Sequence, residues 1–344
     1  MSPARRTFER VWYGDSAIDR AARGALLPAT MLYAAVTDLR NALYDRGLLA
    51  IHPSPIPALA LGNLSVGGTG KTPVAAWAAA QLRARGGRPA VVLRGYGGDE
   101  PMVHERLNPA MPVVADADRV RGVQTAVCEG ADCVVLDDAF QHRRIARLAD
   151  WVLVSAERWH DGQHRLPSGP LRETERALGR ATLVIVTRKT ASLGDAEQVM
   201  ERLAQRVPGG AAAVMHLAPD GLATLTGDVQ PLGALAGTRV LAVAAIGEPA
   251  AFHAQLRALG ATVEEATFAD HHAFTSSDVA TLARRAERVE RVVCTLKDAV
   301  KLGPLWRGAA PPLWYVSQAA AVDRGGVHLD ASLEAVLAAR MHHN

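Results

Sequence analysis

Gly62-Asn-Leu-Ser-Val-Gly-Gly-Thr-Gly-Lys-Thr-Pro73 decides the fold of this 344-residue chain. Residues 58 to 66, which lead into it, read as a buried strand. Residues 73 to 85, which follow, read as an alanine-rich helix with Pro73 in its first turn. Strand, glycine turn and Lys-Thr opening a helix is the arrangement a phosphate chain needs. Glycines let successive backbone N–H groups point inward, and the helix N-terminus adds a favourable dipole. Ser65, Val66, Gly67, Gly68, Thr69, Gly70, Lys71 and Thr72 form the expected nucleotide cradle. Lys71 would reach the β- and γ-phosphates, and the Thr72 hydroxyl would ligate Mg²⁺. Ser65 stands where the strict phosphate-loop pattern opens on glycine. Val66 stands where partitioning and septum-site switch ATPases carry a second lysine. Val186-Thr187-Arg188-Lys189 lacks an Asn-Lys-x-Asp guanine clamp, so ATP rather than GTP is the expected donor.

Outward from the loop, short apolar runs alternate with helical stretches. Strands are expected at 89–93, 133–136, 151–155 and 181–187. That alternation predicts an α/β, P-loop NTPase-like fold: a mainly parallel sheet with helices on both faces. The pattern breaks at Pro208 to Gly210. A second set then begins, with strands at 222–226, 239–245 and 262–268 and a helix over 250–259. Two domains are expected, 1–215 holding the phosphate loop and 216–344 a smaller α/β unit. The C-terminal helix at 331–341 has no docking site legible from its sequence.

Hydrophobic residues at 49% with 21% charged describe a globular chain rather than a disordered one. A net charge of +3 creates no demand for nucleic acid. Cys128, Cys133 and Cys294 make no metal-ligand spacing and read as reduced thiols. Near the N-terminus, Arg5, Arg6, Phe8, Arg10, Trp12, Tyr13, Arg20 and Arg23 precede an apolar run over 25–36. That run is too short to cross a bilayer, which needs about 20 residues. By itself it reads as an amphipathic helix packed on the domain.

Several further motifs appear in order. Arg40-Asn-Ala-Leu-Tyr-Asp-Arg-Gly47 precedes the first strand. After the loop come Arg94-Gly-Tyr-Gly97, Gly98-Asp-Glu-Pro101 and the Arg119 of Ala117-Asp-Arg. Leu136-Asp-Asp-Ala-Phe-Gln-His142 and Leu166-Pro-Ser-Gly-Pro-Leu-Arg-Glu173 follow, then Asp270-His-His-Ala-Phe274 and Thr295-Leu-Lys-Asp-Ala-Val-Lys301. With these in view the chain resembles the tetraacyldisaccharide 4′-kinase family of lipid A synthesis, over most of its length.

The resemblance implies transfer of the ATP γ-phosphoryl to the 4′-hydroxyl of a tetraacyl-disaccharide 1-phosphate. It implies a catalytic pair at Asp99 and His271, the histidine reaching across from the second domain. A sugar hydroxyl is a poor nucleophile, so a base must accept its proton. Asp137 and Asp138 end a strand where a Walker-B-like carboxylate would hold Mg²⁺. Arg119 and Arg172 are candidate phosphate contacts, and Glu173 a further metal or substrate contact. Gln141 and His142 either orient phosphate or substrate or support the turn, and Asp270 neighbours the histidine. The lipid substrate shifts the reading of the N-terminus to a helix lying at the cytoplasmic face of the inner membrane. No obligate protein partner and no nucleic acid are implied. The chain departs from the family in fusing Arg-Gly-Tyr-Gly directly to Gly-Asp-Glu-Pro and in carrying Ala139 where relatives have glycine. The rival from another class is a membrane-associated switch ATPase acting on a protein partner, which would need Lys71 and Thr72 but neither Asp99 nor His271.

Overall fold

A computed structural model of the chain describes residues 10–14, 16–95, 98–160, 162–247, 249–306 and 311–340. Arg5, Arg6, Phe8, Tyr96 and Gly97, all read in the motifs above, lie outside the described residues. The strands are β1 (Ala58–Asn63), β2 (Pro89–Leu93), β3 (Val113–Ala115), β4 (Cys133–Leu136), β5 (Ala149–Ser155), β6 (Leu183–Arg188), β7 (Ala212–Ala223), β8 (Val229–Gln230), β9 (Arg239–Ala244), β10 (Thr262–Thr267), β11 (Arg291–Thr295) and β12 (Leu313–Arg324).

The chain divides into two compact units. The larger takes the described residues up to Gly95, then His104–Leu217, then those from Ala320 on. The smaller takes the described residues up to Val103 that follow Gly95, and Ala218–Ala319. Against the division expected at 215, the first turn of the helix Asp99–Leu107 belongs with the smaller unit; the C-terminal helix groups with the larger. The strand expected at 222–226 is instead the end of β7, which runs from Ala212 to Ala223. Pro219 lies within that strand, in an extended conformation that proline tolerates wherever its missing N–H is not required.

In the larger unit the strand order is β3-β2-β4-β1-β5-β6-β7, parallel throughout. Every residue of β1, β2, β4 and β5 is buried, as covering on both faces requires. The helix Lys71–Ala84 turns Val74, Ala75, Ala78, Ala79 and Leu82 into this core. The C-terminal helix Gly326–Ala339 adds Leu329, Leu333 and Val336 to the same cluster, one stripe at helical spacing. Because β1 lies between β4 and β5, the loop after β1 and the acidic turn after β4 leave the carboxyl ends of neighbouring strands. Ligands of open α/β sheets bind at such places. Gly62 makes the approach possible: a Cβ there would run into Phe140, directly after the acidic turn.

The smaller unit carries β10-β9-β11-β12, also parallel, with β8 antiparallel to the end of β7. One of its apolar clusters joins Leu241, Val243, Phe274, Leu282, Leu302 and Trp306.

Candidate active site

The phosphate loop is held from three sides in the larger unit. Asn63 at the end of β1 donates from Nδ2 to Thr69 Oγ1 at 3.0 Å. The Thr187 hydroxyl on β6 donates to the Thr69 carbonyl at 2.9 Å. The Val66 N–H donates to the Pro170 carbonyl at 2.8 Å and the Arg172 N–H to the Leu64 carbonyl at 2.6 Å. These last two bonds bind the Leu166–Glu173 motif to the start of the loop. Gly70 is the N-cap of the helix Lys71–Ala84, in the left-handed region at φ 80°, and no side chain caps it. A Cβ there would strike Leu217. The first N–H groups of that helix are therefore without a side-chain cap, as an anion site requires.

The acidic turn puts Asp137 and Asp138 to different uses. Asp138 has φ 52°, uncommon for a residue with a side chain and characteristic of over-determined functional positions. Its carboxylate takes Arg172 Nη1 at 2.8 Å and Nη2 at 3.3 Å, and Lys71 Nζ lies 3.7 Å away. Burial pushes its pKa up, but Lys71 and Arg172 outweigh that and hold it below the ordinary carboxylate value. The left-handed residue of this turn is Asp138 rather than 139, so alanine at 139 carries no backbone strain. Asp137 is buried, with Oδ2 at 2.9 Å from His104 Nε2 and Oδ1 without a hydrogen-bond partner. An orphaned carboxylate oxygen at this place is what a hard cation would take. Among the described residues no cluster of three or more His, Cys, Asp or Glu forms a ready metal cage. An ion here would have to rely on few protein oxygens, with phosphate and water completing its shell, as Mg²⁺ habitually does.

Arg119 is buried behind the turn, donating to the carbonyls of Asp116 at 2.7 Å and Asp137 at 3.3 Å. Gln141 donates to the Asn63 carbonyl at 2.9 Å, joining the acidic turn to the loop. Both Glu173 oxygens are engaged, by Arg180 at 2.9 and 3.1 Å and by Asn41 at 2.6 Å. His142 is half-buried; burial first, then Arg119 and Arg147, push its pKa from 6.5 down to about 4. It is neutral at pH 7. Its unfolded value is the higher one, so the stability gained by keeping it neutral is complete above about pH 6.5 and is lost as pH falls through the folded value. We expect an NMR titration midpoint near 4, and a denaturation midpoint that drops between those pH values less in His142→Gln than in wild type.

In the smaller unit, Asp99 and His271 meet. Asp99 is 1% exposed, and its Oδ2 lies 3.1 Å from His271 Nδ1. Its Oδ1 has no hydrogen-bond partner. His271 has φ 57°, in the left-handed region, and Asp270 Oδ1 stands 3.9 Å from its Nε2. The expectation had the histidine reaching from a different domain. The structure puts both residues in one unit, because the helix Asp99–Leu107 begins there and continues into the larger one.

The helix Ala17–Asp45 docks on the larger unit by its polar side. Thr30 bonds Ser168 at 2.7 Å, Arg40 donates to the Gln141 carbonyl at 2.6 Å, and Asn41 reaches Glu173. Leu27, Met31, Leu32, Val36 and Leu39 are left exposed, Met31 at 70% and Leu32 at 68%. This inverts the packed amphipathic helix expected from the residues alone. A cavity of about 760 Å³ beside the helix is lined by Asp38, Asn41, Trp159, Arg165, Glu173 and Arg180 among others. No helix of the described residues is long and apolar enough to cross a membrane.

Sequence reasoning missed Asn63, His104, Arg180, Asp298 and Lys301. Asn63 stands in the Gly62–Pro73 stretch and Asp298 and Lys301 in the Thr295–Lys301 motif, so these three carried a signal; His104 and Arg180 carried none.

Over most of its length the chain is similar to known proteins of one family. The profile described as LpxK, tetraacyldisaccharide-1-P 4′-kinase, matches residues 22–338. A tetraacyldisaccharide 4′-kinase of Anaeromyxobacter sp. (strain Fw109-5) is 40% identical over 359 residues, covering 96% of each chain. One from Halorhodospira halophila is 39% identical over 312 residues, covering 85% of this chain and 87% of that protein. A crystal structure of LpxK from Aquifex aeolicus in complex with ATP aligns with a TM-score of 0.74 at 27% identity, over 92% of this chain and 99% of that one.

Proposed function

We propose a reaction and residue roles for this chain, which belongs to the tetraacyldisaccharide-1-P 4′-kinase family: it transfers the γ-phosphoryl of ATP to the 4′-hydroxyl of a tetraacyl-disaccharide 1-phosphate, the lipid A precursor. The observation that carries the chemistry is the buried Asp99, whose Oδ1 is unpartnered while Oδ2 faces His271. That oxygen accepts the 4′-hydroxyl proton as the hydroxyl oxygen bonds to the γ-phosphorus. The bond from phosphorus to the bridging oxygen breaks, and ADP leaves. Lys71 and the loop N–H groups stabilise charge that grows on the phosphoryl oxygens. Thr72 and Asp137 would hold Mg²⁺, which supplies charge neutralisation at the β- and γ-phosphates. Asp138, engaged by Arg172 and facing Lys71, orients the lysine instead of binding metal. Arg119 and Arg172 set the acidic turn, and Glu173 fixes the cavity wall.

Measuring ADP with and without the disaccharide acceptor tests this reading. ADP should appear only with acceptor and mole for mole with phosphorylated lipid. A switch ATPase would release ADP without it.

The exposed apolar face of Ala17–Asp45 suits an enzyme resting on the inner-membrane surface, where an acylated substrate resides. Burying such side chains is worth about 1.5–3 kcal/mol each. Met31→Glu with Leu32→Glu should therefore lower co-sedimentation with anionic phospholipid vesicles at least tenfold. The thermal midpoint should stay unchanged, since both side chains are already exposed. Undiminished sedimentation would count against this face.

A further inference from the structure

The motif Thr295–Lys301 forms a strand end and the short helix Leu296–Leu302. Lys297 and Lys301, one helical turn apart, face the start of the helix Asp99–Leu107: Lys297 Nζ is 3.8 Å from Glu100 Oε1, and Lys301 Nζ is 3.9 Å from Asp99 Oδ2. Lys301 Nζ is shielded from solvent and has no hydrogen-bond partner. It also stands 3.6 Å from Asp298 Oδ1 and 5.6 Å from the centre of the Phe274 ring. Asp298 is fully buried, and Asp298 Oδ2 accepts from the Ala245 N–H at 3.1 Å. The carbonyl of the same Ala245 accepts the His271 N–H at 3.2 Å. One short helix thus addresses both members of the pair, the aspartate through a cation and the histidine through its backbone.

We infer that Lys301 is a positioning residue for the Asp99–His271 pair, drawing the Asp99 carboxylate by Oδ2 so that Oδ1 is left to take the proton. A carboxylate with 1% exposure has lost its hydration and needs a compensating charge. His271 Nδ1 meets the same oxygen, Oδ2, at 3.1 Å. The Lys301 ammonium supplies that charge, 3.9 Å from Oδ2. Asp298 Oδ1, at 3.6 Å, is the second carboxylate the lysine faces.

The inference rests on the pair's proposed catalytic role, and the test separates the two. Lys301→Gln, with folding checked by circular dichroism and by ATP binding, should lose kcat roughly 10- to 100-fold, as displaced reacting groups do. The KM for ATP should stay within about twofold. Lys301→Arg should recover part of the loss. A Lys301→Gln enzyme with wild-type kcat, beside an inactive Asp99→Asn enzyme, overturns the inference. Activity retained by Asp99→Asn overturns the reading of the pair and the inference together. Should Lys301→Gln fold poorly, the double variant Lys301→Gln/Asp298→Asn, which removes the cation with one of its two carboxylates, carries the same comparison.

Discussion

Asp99→Asn should bind ATP like the wild type and phosphorylate its lipid about a thousandfold more slowly, within the range that general bases contribute. The amide has the size of the carboxylate and keeps an oxygen, so packing in a site 1% exposed is preserved. What it loses is basicity. The hydroxyl proton then has no acceptor in the transition state, and the step falls back on water. Two structural facts make the effect large. The unpartnered Oδ1 marks a carboxylate oxygen unused by the fold. The left-handed backbone of His271 marks a geometry held against its local preference, as functional positions tend to be. If the pair were only structural, the variant would lose stability and keep kcat. Steady-state kinetics with a parallel ATP-binding measurement tells the two apart.

Lys71→Met should cost roughly 10²–10³-fold in kcat, the scale of removing one preorganised charge contact. It should also weaken ATP binding, which Asp99→Asn should not. Lys71 is 16% exposed and 3.7 Å from Asp138 Oδ1, the oxygen that Arg172 Nη1 also holds at 2.8 Å. The lysine is thereby held in place before the nucleotide arrives. Methionine keeps the stem and removes the charge, so the loop should persist. The acidic turn should survive too, because Arg172 still satisfies Asp138. A Lys71→Met protein with wild-type affinity for ATP would remove the loop from the nucleotide site.

How much of this was legible in the sequence varies with the range of the contacts. The loop, the acidic pair and the alternation of apolar runs are local patterns, and the strands at 89–93, 133–136 and 262–267 stand close to where periodicity places them. Family motifs drew attention to Asp99 and His271, which are 172 residues apart and could not be paired by spacing. His104 carries no such mark; its bond to Asp137 exists because helix and sheet converge in three dimensions. Asp137 and Asp138 look alike in sequence, and only Lys71 and Arg172 on one side and His104 on the other separate them. The N-terminal helix misled for a physical reason. Apolar periodicity says that one face differs from the other, but not which of them the protein covers. Thr30, Arg40 and Asn41 do the docking here, and the apolar face is left outward. The C-terminal helix was unplaceable because its three core residues find their partners on the helix that follows the phosphate loop, more than 240 residues earlier in the chain.

The most direct test is to incubate the purified protein with ATP, Mg²⁺ and a tetraacyl-disaccharide 1-phosphate in detergent micelles, and to locate the new phosphate by ³¹P–¹H correlation NMR. The expected product is a monoester on the 4′-oxygen, one for each ADP formed and absent with Asp99→Asn. Phosphate on another hydroxyl, or ADP formed with no phosphorylated lipid, would contradict the proposed reaction.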